Sequence, residues 1–375
     1  MKRIYGLGLA RRADDHQIDL GRSHPVSHGG LRIHCQIEKE TITKAQIEIG
    51  FMHRGVEGLF TERDYRQGVM LASRHDWSGP SGGELAYALA IEDLLGLITP
   101  IRASWIRVFI SELDRILSAL TFLSAIPEQS IWQIREAMNT HREAIAFLLE
   151  KVTGARMHHQ VIKVGGVAVD LDQETLLETN LVLGKMAQEM SHWHDVLTKT
   201  LNKYQNVGIL NRDVALGQGA SGIIARASGL ALDVRVAEPY LTYEDLSFIR
   251  KETGSQVGDI PGRVISLLGE VDLSIQILLI AIKELRLSQG DSISEKTPKV
   301  LRLPEGQTFR NIEGSLGSSG VALFSDGGRS PMRVRLRTAS FGNLAALEPT
   351  LVGLPVTYLP MMLASWPFLS GDSDR

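Results

Sequence analysis

Residues 99–120, TPIRASWIRVFISELDRILSAL, are the clearest helical segment of this chain of 375 residues. Thr99 followed by Pro100 is typical of a helix start, because a Thr side chain can cap a free backbone amide and Pro has no amide to cap. Apolar side chains then recur every three or four residues, at Ile106, Phe109, Ile110, Leu113, Ile116, Leu117 and Leu120. This spacing lines one face of the helix with apolar groups, which predicts packing in a core.

The same periodicity on both sides of this segment predicts a helical core, which we expect to be a bundle. The further helices are expected at residues 82–97, 128–151, 172–204 and 258–287. Glycines interrupt the helical pattern at Gly165-Gly166 and between residues 217 and 229. These positions predict tight turns or a close approach of two backbone segments.

Strand-like patterns flank the helical region at both ends. Residues 31–37 and 42–49 alternate apolar and polar side chains, which predicts a β-hairpin with its turn between them. Residues 320–324 and 332–337 flank an Asp-Gly-Gly turn, which predicts a second hairpin. The predicted fold class is therefore α+β. Its expected regions are an N-terminal β region at 1–60, the helical core at 61–290, and a C-terminal mixed β and irregular region at 291–375 that packs on the core.

The composition is that of an ordinary soluble chain, with a net charge of −3 and 43% hydrophobic residues. The Lys and Arg residues are dispersed, which disfavours nucleic acid as a partner. The apolar run from Leu273 to Ile282 is far shorter than the roughly 20 residues that cross a bilayer. The uncharged segment 349–371 contains prolines that would leave carbonyls unmet in lipid. We therefore expect both segments to be buried in protein and the chain to have no transmembrane helix.

The single cysteine, Cys35, limits the cofactors that this chain can hold. One thiol excludes an intramolecular disulfide framework and any metal centre that needs four thiolate ligands. The chain also lacks the strand-linked Gly-x-Gly-x-x-Gly segment that cradles a dinucleotide pyrophosphate. We therefore expect neither such a metal centre nor NAD to be bound by this chain.

Residues 24–29, His-Pro-Val-Ser-His-Gly, predict a stiff loop that presents an imidazole. Imidazole is the side chain whose unperturbed pKa lets it exchange a proton near neutrality. The alternative interpretation is a loop histidine that hydrogen-bonds its own turn. The sequence alone leaves both open.

Two further segments combine charged and imidazole side chains. They are Arg74-His75-Asp76-Trp77 and Met157-His158-His159. In the structural interpretation, Arg74 pairs with Asp76 or Glu84, and His158 or His159 packs at a helix end. Structural ion pairs perturb charged groups as functional sites do, so residue type alone does not separate the two interpretations.

Taken together, five separated segments resemble the quinone-site subunit of respiratory complex I. This is the 49 kDa, or D-type, subunit family of NADH-quinone oxidoreductase, which is related to nickel–iron hydrogenase large subunits. The resemblance extends from about Gly21 to Arg375 and implies a hydrogenase large-subunit-like fold. Because only one thiol is present, it does not extend to a nickel–iron centre. The segments are 24–29, 53–57, 157–159, 226–229 and 325–375.

The resemblance implies that His28 and Trp77 line the quinone cavity as the catalytic positions, with His24 and Gly29 in the same loop. In the family, a Tyr follows the Arg-x-Asp triplet and donates to one quinone oxygen. In this chain that position is Trp77. An indole can donate a hydrogen bond but is not a proton source in the physiological pH range.

The resemblance also implies that Arg74 and His158 lie against the terminal iron–sulfur cluster of a neighbouring subunit, with Asp76 and His159 behind them. A cation and an imidazole beside a cluster stabilise its reduced form and couple its potential to pH. The family aspartate that orients the loop histidine has no match in this chain. Glu128 is the possible substitute.

The function implied by the resemblance is that of a D-like component of a complex I-type NADH:quinone oxidoreductase, a translocase that is active only as a complex. Quinone would be the substrate. The implied partners are a B-like small iron–sulfur subunit, a C-like protein and an H-like membrane-arm subunit, at the cytoplasmic face of the membrane. Two alternatives stay open: a complex I-like or hydrogenase-related assembly with another electron partner, and a scaffold protein without chemistry.

Overall fold

The computed structural model of the protein describes residues 2–7, 17–19, 24–25, 30–246 and 256–375. Helices and strands are numbered along the chain. The helices are α1 Val56–Thr61, α2 Tyr65–Ala72, α3 Pro80–Leu95, α4 Ile101–Ser124, α5 Trp132–Thr153, α6 Gln173–Leu201, α7 Arg212–Gly217, α8 Gly222–Ala227, α9 Val234–Ala237, α10 Ile260–Leu287, α11 Ala339–Thr350, α12 Leu359–Ala364 and α13 Ser370–Ser373. The strands are β1 Lys2–Leu7, β2 Gln17–Asp19, β3 Leu31–Glu38, β4 Thr41–Glu48, β5 Ile162–Lys163, β6 Gly166–Val167, β7 Gly306–Gly314, β8 Gly317–Ser325 and β9 Arg333–Arg337.

The predicted helical core is confirmed by the long helices α3, α4, α5, α6 and α10. Helix α4 packs against both α5 and α10, and α6 packs against α5 and α10 as well. The apolar stripe of α4 is buried, as its spacing predicts. The α+β fold class is confirmed too, because small sheets flank this core at both ends of the chain.

The predicted cap of α4 is wrong by one residue. Pro100, and not Thr99, occupies the N-cap position, and its carbonyl accepts the amide of Ser104 at 3.0 Å. The Thr99 hydroxyl lies 3.3 Å from the Ser104 hydroxyl and caps no amide. The helix therefore starts on the proline carbonyl, without a side-chain cap.

The N-terminal sheet has the strand order β2-β1-β3-β4. Its centre is the predicted hairpin of β3 and β4, in which Glu38 is opposite Thr41. Lys39 and Glu40 form the turn with φ values of 47° and 66°, and two positive φ values are what a type I′ hairpin turn requires. Strand β1 pairs antiparallel with β3 and was not predicted from the sequence.

The C-terminal sheet has the order β7-β8-β9, with both pairs antiparallel. The predicted hairpin corresponds to β8 and β9 and is confirmed. Strand β7 was not predicted from the sequence, because it lies wholly before the hairpin that the pattern indicated. Arg333 and Arg335 are exposed on one side of β9, whereas Val334 and Leu336 are buried on the other.

Two hydrophobic clusters hold these elements together. The larger joins the N-terminal sheet, helices α4, α5, α6 and α10, and the segment from α11 to α13. The smaller joins α1, α2 and α3 to the C-terminal sheet. Each cluster draws residues from well-separated parts of the chain. The predicted division of the chain into three regions, with bounds near residues 60 and 290, stays a prediction.

Helix α10 is, within the described ranges, the one helix long and apolar enough to cross a membrane. In this fold 61% of the most apolar 18-residue stretch of α10 is buried inside the protein, which fits a core helix. The uncharged segment near the C-terminus is also largely buried: from Leu359 to Ser370, every side chain except Pro360 lies in the interior.

The predicted close approach at the Gly165-Gly166 pair is confirmed. Gly166 has a φ of 149°, and a Cβ atom there would lie 2.2 Å from the carbonyl oxygen of Ile293. The amide of Val167 donates to the same carbonyl at 3.0 Å. Glycine is required because a side chain would separate strand β6 from the segment that follows α10.

Candidate functional site

The Arg74-His75-Asp76-Trp77 segment links helix α2 to helix α3. Arg74 is exposed, His75 and Asp76 are buried, and Trp77 is half-buried against the larger hydrophobic cluster. The guanidinium of Arg54 donates to the carbonyl of Arg74 at 3.0 Å. The segment therefore presents an arginine on the surface while its next two residues are anchored inside.

Asp76 anchors the start of helix α3. Its Oδ1 atom accepts the amide and the hydroxyl of Ser78 and the amide of Gly79, at 2.9, 2.8 and 3.0 Å. Its Oδ2 atom accepts the hydroxyl of Ser315 at 2.9 Å. Burial, followed by the charge of Asp372, raises the pKa of Asp76. The predicted place of Asp76 behind Arg74 at a partner's cluster stays a prediction.

His75 connects this segment to the end of the chain. Its Nδ1 atom lies 2.8 Å from Oδ1 of Asp372, and both residues are buried. Asp372 also accepts the amide of Ser340 at 2.7 Å. Burial acts to lower the pKa of His75, but the hydrogen bond and charge of Asp372 outweigh it and raise this pKa. Sequence reasoning missed this pair, because nothing in the sequence joins two residues that lie 297 positions apart.

We predict that Asp372→Asn lowers thermal stability more at pH 6 than at pH 9. Folding raises the pKa of His75, so the pair stabilises the folded protein fully when the pH is below 6.5, the ordinary pKa of histidine. This stabilisation is lost as the pH rises through the folded-state pKa. The lowered pKa of Asp372 keeps the anion present well below pH 6. Thermal unfolding of the full-length protein at both pH values measures the difference. The exposed Asp195→Asn change is the control, and an equal loss at both pH values would contradict the prediction.

His24 lies inside the protein. Its Nε2 atom is 3.3 Å from the carbonyl of Leu363, and its ring centroid is 5.7 Å from that of Phe368. Burial lowers the pKa of His24 to about 4, so the ring is neutral at physiological pH. His28 and Gly29, which were predicted in the same loop, lie outside the described residues. Their place at a quinone stays a prediction.

His158 is close enough to Arg74 for the charge of Arg74 to act on it, although the two are far apart in the sequence. Burial is the largest cause that lowers the pKa of His158, and the charge of Arg74 is the next. Arg54 lowers this pKa as well, while a backbone hydrogen bond with Ser73 acts in the opposite direction. We call this group the Arg54–Arg74–His158 surface. The structure thus brings together two of the predicted site residues, Arg74 and His158.

His159 points inward from the same turn. Its Nε2 atom lies 2.8 Å from Oδ1 of Asp114 on helix α4. Burial acts to lower the pKa of His159, but the charge of Asp114 outweighs it and raises this pKa. His159 is buried, and its predicted place behind the site stays a prediction. Asp114 itself was not identified from the sequence.

Glu128 accepts hydrogen bonds from the hydroxyl of Tyr204 and, at 3.1 Å, from the ammonium of Lys203. These contacts tie the start of helix α5 to the end of helix α6. Glu128 was considered as the residue that orients the loop histidine. Because His28 is outside the described residues, that role stays a prediction.

A network of largely buried ion pairs was not predicted at all. Arg226 pairs with Glu270 at 2.6 Å and with Glu313 at 2.7 Å, whereas the sequence indicated close backbone packing and subunit contact for the segment 226–229. The network joins α4, α8, α9, α10 and β7. It consists of Glu112, Arg115, Arg226, Asp233, Arg235, Glu270 and Glu313. The available signal was that Glu112 and Arg115 interrupt a stretch of α4 that is otherwise predicted to be buried.

Two cavities open near the candidate site. One of about 530 Å³ is lined by Arg66, Met70, Gln160 and neighbouring residues, and it adjoins the turn that carries His158. Another of about 290 Å³ is lined by His53, Glu57 and residues of the C-terminal tail. Trp77 lines neither of them.

Comparisons with known proteins match nearly the whole chain. The sequence model of the family described as "Respiratory-chain NADH dehydrogenase, 49 Kd subunit" matches residues 134–301 and 295–375. NADH-quinone oxidoreductase D subunit 1 of Streptomyces coelicolor is 35% identical over 375 residues, 99% of this chain and 98% of the relative. The F(420)H(2) dehydrogenase D subunit of Methanosarcina mazei is 32% identical over 371 residues, 96% of this chain and 97% of the relative. A solved chain of the membrane-bound sulfane sulfur reductase, an archaeal respiratory membrane complex, has a TM-score of 0.85 at 27% identity, covering 92% of this chain and 94% of that one.

Proposed function

Because the chain belongs to the family of the respiratory-chain NADH dehydrogenase 49 kDa subunit, we propose that it forms the quinone site of a complex I-type oxidoreductase together with a small iron–sulfur protein. The family makes the chain a D-type component of an oxidoreductase complex. The solved relative belongs to a membrane-bound respiratory complex, and we infer that this chain likewise associates peripherally with a membrane. The proposed partners are a B-like small iron–sulfur subunit, a C-like protein and an H-like membrane-arm subunit, at the cytoplasmic face.

The observation that carries the proposal is the convergence of three basic side chains on the Arg54–Arg74–His158 surface. They come from three separate segments, and the guanidinium of Arg54 is bonded to the backbone that carries Arg74. Exposed cations that meet a half-buried imidazole suit a neighbour whose negative charge increases on reduction. We assign this surface to the partner that carries the iron–sulfur cluster.

The lowered pKa of His158 supports a proton-coupled role at this surface. Burial and the charge of Arg74 keep its ring neutral near pH 7. A negative charge that arrives at the surface would favour the protonated ring. His158 would therefore take up a proton when the partner's cluster is reduced.

The junction between the Arg74-His75-Asp76 triplet and the C-terminal tail does not fit a nickel–iron centre. The His75–Asp372 pair and the Asp76–Ser315 hydrogen bond fill it with nitrogen and oxygen groups that bind each other. Such a metal is fixed by soft thiolates, and the single cysteine, Cys35, is buried in strand β3. The proposed redox chemistry therefore depends on the partner's cluster and on quinone as the substrate.

A second candidate is the same kind of assembly with another electron donor or acceptor. Trp77 stands where the family has the Tyr that donates to the quinone. The relative from Methanosarcina mazei is named for F(420)H(2) and not for NADH. Both observations favour a change of electron partner rather than the loss of chemistry.

We predict that His158→Ala removes most of the pH dependence of the cluster's midpoint potential. A one-electron centre coupled to one proton changes by about 59 mV per pH unit, and this slope should approach zero without the imidazole. Redox titration of the purified complex between pH 6 and 8, followed by electron paramagnetic resonance, measures it. The control is His194→Ala, an exposed histidine on helix α6. A slope unchanged by His158→Ala would refute the proposed role of this surface.

A further inference from the structure

The turn from Met157 to Gln160 has an unusual backbone for a segment without glycine. His158 and Gln160 have φ values of 57° and 52°, in the left-handed region that residues with a side chain rarely adopt. Such conformations persist only where the surrounding structure holds them. The contacts of this turn therefore identify the residues on which its shape depends.

Glu84 holds the turn from the side of helix α3. Its carboxylate is fully buried and accepts the amide of Gln160 at 2.9 Å and the amide of Ile162 at 3.4 Å. These two amides lie where the turn leaves its strained residues and enters strand β5. A carboxylate can accept both at once because each of its oxygens is an acceptor.

Asp114 holds the turn from the side of helix α4. Its Oδ1 atom binds Nε2 of His159 at 2.8 Å, while Nδ1 of His159 lies 3.1 Å from the carbonyl of Ala155. The Oδ2 atom of Asp114 accepts the amide of Ser81, in the first turn of α3. His158 directly precedes His159 and Gln160, the two residues that these contacts fix, so its own backbone is constrained as well.

The ring of His158 hydrogen-bonds the backbone of Ser73 through one nitrogen, and its other nitrogen is unused by the described residues. Its Nδ1 atom is buried and has no hydrogen-bond partner in the part of the chain that the structure describes. The two residues that follow it are held by Glu84 and Asp114. The constrained turn thus places this ring within reach of the charge of Arg74.

We propose that Glu84 and the His159–Asp114 pair are positioning residues, which hold the Met157–Gln160 turn so that the ring of His158 faces the partner at the Arg54–Arg74–His158 surface. This inference rests on the proposed function, because it requires a redox partner at that surface. It adds two residues, Glu84 and Asp114, that act on electron transfer only through the placement of His158.

The test compares Glu84→Gln, Asp114→Asn and His158→Ala in the purified complex. Glu84→Gln keeps the size of the side chain but places an N–H group where a backbone amide needs an acceptor. Asp114→Asn keeps the shape but removes the charge that holds His159. We expect either change to reduce the pH slope of the cluster potential to less than half of its wild-type value. His158→Ala should remove the slope almost entirely.

The matched control is Glu92→Gln, the same substitution on the same helix. Glu92 is also buried, pairs with Arg107 at 2.6 Å and accepts the amide of Gly165 at 2.7 Å. Its loss should destabilise the complex without changing the slope. The pH slope of the potential, unlike the yield of complex, reports the proton-coupled group and not the overall stability of the complex.

The outcomes separate this inference from the proposed function. If His158→Ala removes the slope while Glu84→Gln and Asp114→Asn leave it unchanged, the positioning role is refuted and the proposed function stands. If His158→Ala has no effect on the slope, the proposed function is refuted, and the positioning role that rests on it is refuted with it. Should the variants not assemble, an experimental structure of the unmutated complex decides the matter. The inference requires that the carboxylate of Glu84 accepts hydrogen bonds from the amides of Gln160 and Ile162 and that His158 faces the partner. A structure without these contacts would refute it.

Discussion

Replacing Glu112 by alanine is expected to lower the free energy of unfolding by about 3–5 kcal/mol, the usual cost of removing one partner from a buried ion pair. Glu112 is fully buried and lies 3.1 Å from Arg115 and 3.4 Å from Arg235. Burial acts to raise the pKa of Glu112, but the charges of these arginines outweigh it and hold this pKa below its usual range. The carboxylate is therefore ionised, and its removal leaves Arg115 without the anion that it contacts.

Two hydroxyl groups add to the cost of this change. Ser274 donates to Glu112 at 2.6 Å, and Tyr243 donates to it at 2.7 Å. Both would be left buried without this acceptor, at about 1–3 kcal/mol for each unsatisfied group. Glu112→Gln should cost less, because it keeps the shape and one acceptor oxygen.

Urea denaturation of the full-length protein measures the effect of Glu112→Ala. Glu143→Ala is the control, because Glu143 forms an exposed ion pair with Arg156 and should contribute less than about 1 kcal/mol. A cost for Glu112→Ala as small as that of the control would mean that the buried network does not stabilise the fold.

Trp77→Tyr is expected to raise the quinone reductase activity of the complex by at least about tenfold, since a positioned general acid typically contributes 10²–10⁴-fold. Trp77 follows the anchored Asp76 and is half-buried, so a tyrosine there would be held by the same backbone. Its phenol would supply a proton donor, which the indole cannot. The gain should appear in kcat, because the proton is needed in the chemical step.

Trp132→Tyr is the control for Trp77→Tyr. Trp132 is 58% exposed on helix α5, far along the chain from the triplet, and its replacement should leave the rate unchanged. If Trp77→Tyr also leaves the rate unchanged, protons reach the acceptor by another route or the acceptor is not a quinone. That result would favour the second candidate function.

The long helices could be predicted because each carries its own signal. In α4 the three- and four-residue spacing of apolar side chains repeats along the helix, and this spacing is independent of what the helix packs against. Strand β1 has no such local signal. Its six residues become a strand through pairing with β3, and this pairing is decided by residues from Leu31 to Gln36, further along the chain.

The sequence identified the segments that form the candidate site, but not the contacts that hold those segments in place. The triplet at Arg74 and the turn at His158 were identified through their resemblance to a family, and the structure brings them close enough for the charge of Arg74 to act on His158. The residues that hold these two segments were not identified as such. The sequence indicated Glu84 only as a possible ion-pair partner of Arg74, and both Glu84 and Asp372 are single acidic residues without a recurring pattern around them. Each of them gains its role from a residue that is distant in the sequence, 76 positions away for Glu84 and 297 for Asp372.

The most direct test of the proposed function is an experimental structure of the assembled complex, purified through a tag on this chain. We expect a small partner protein to cover the Arg54–Arg74–His158 surface, with its iron–sulfur cluster as the one nearest to His158. If that surface instead faces solvent, or is covered by a protein that holds no cluster, the proposed place of this chain in electron transfer would be contradicted.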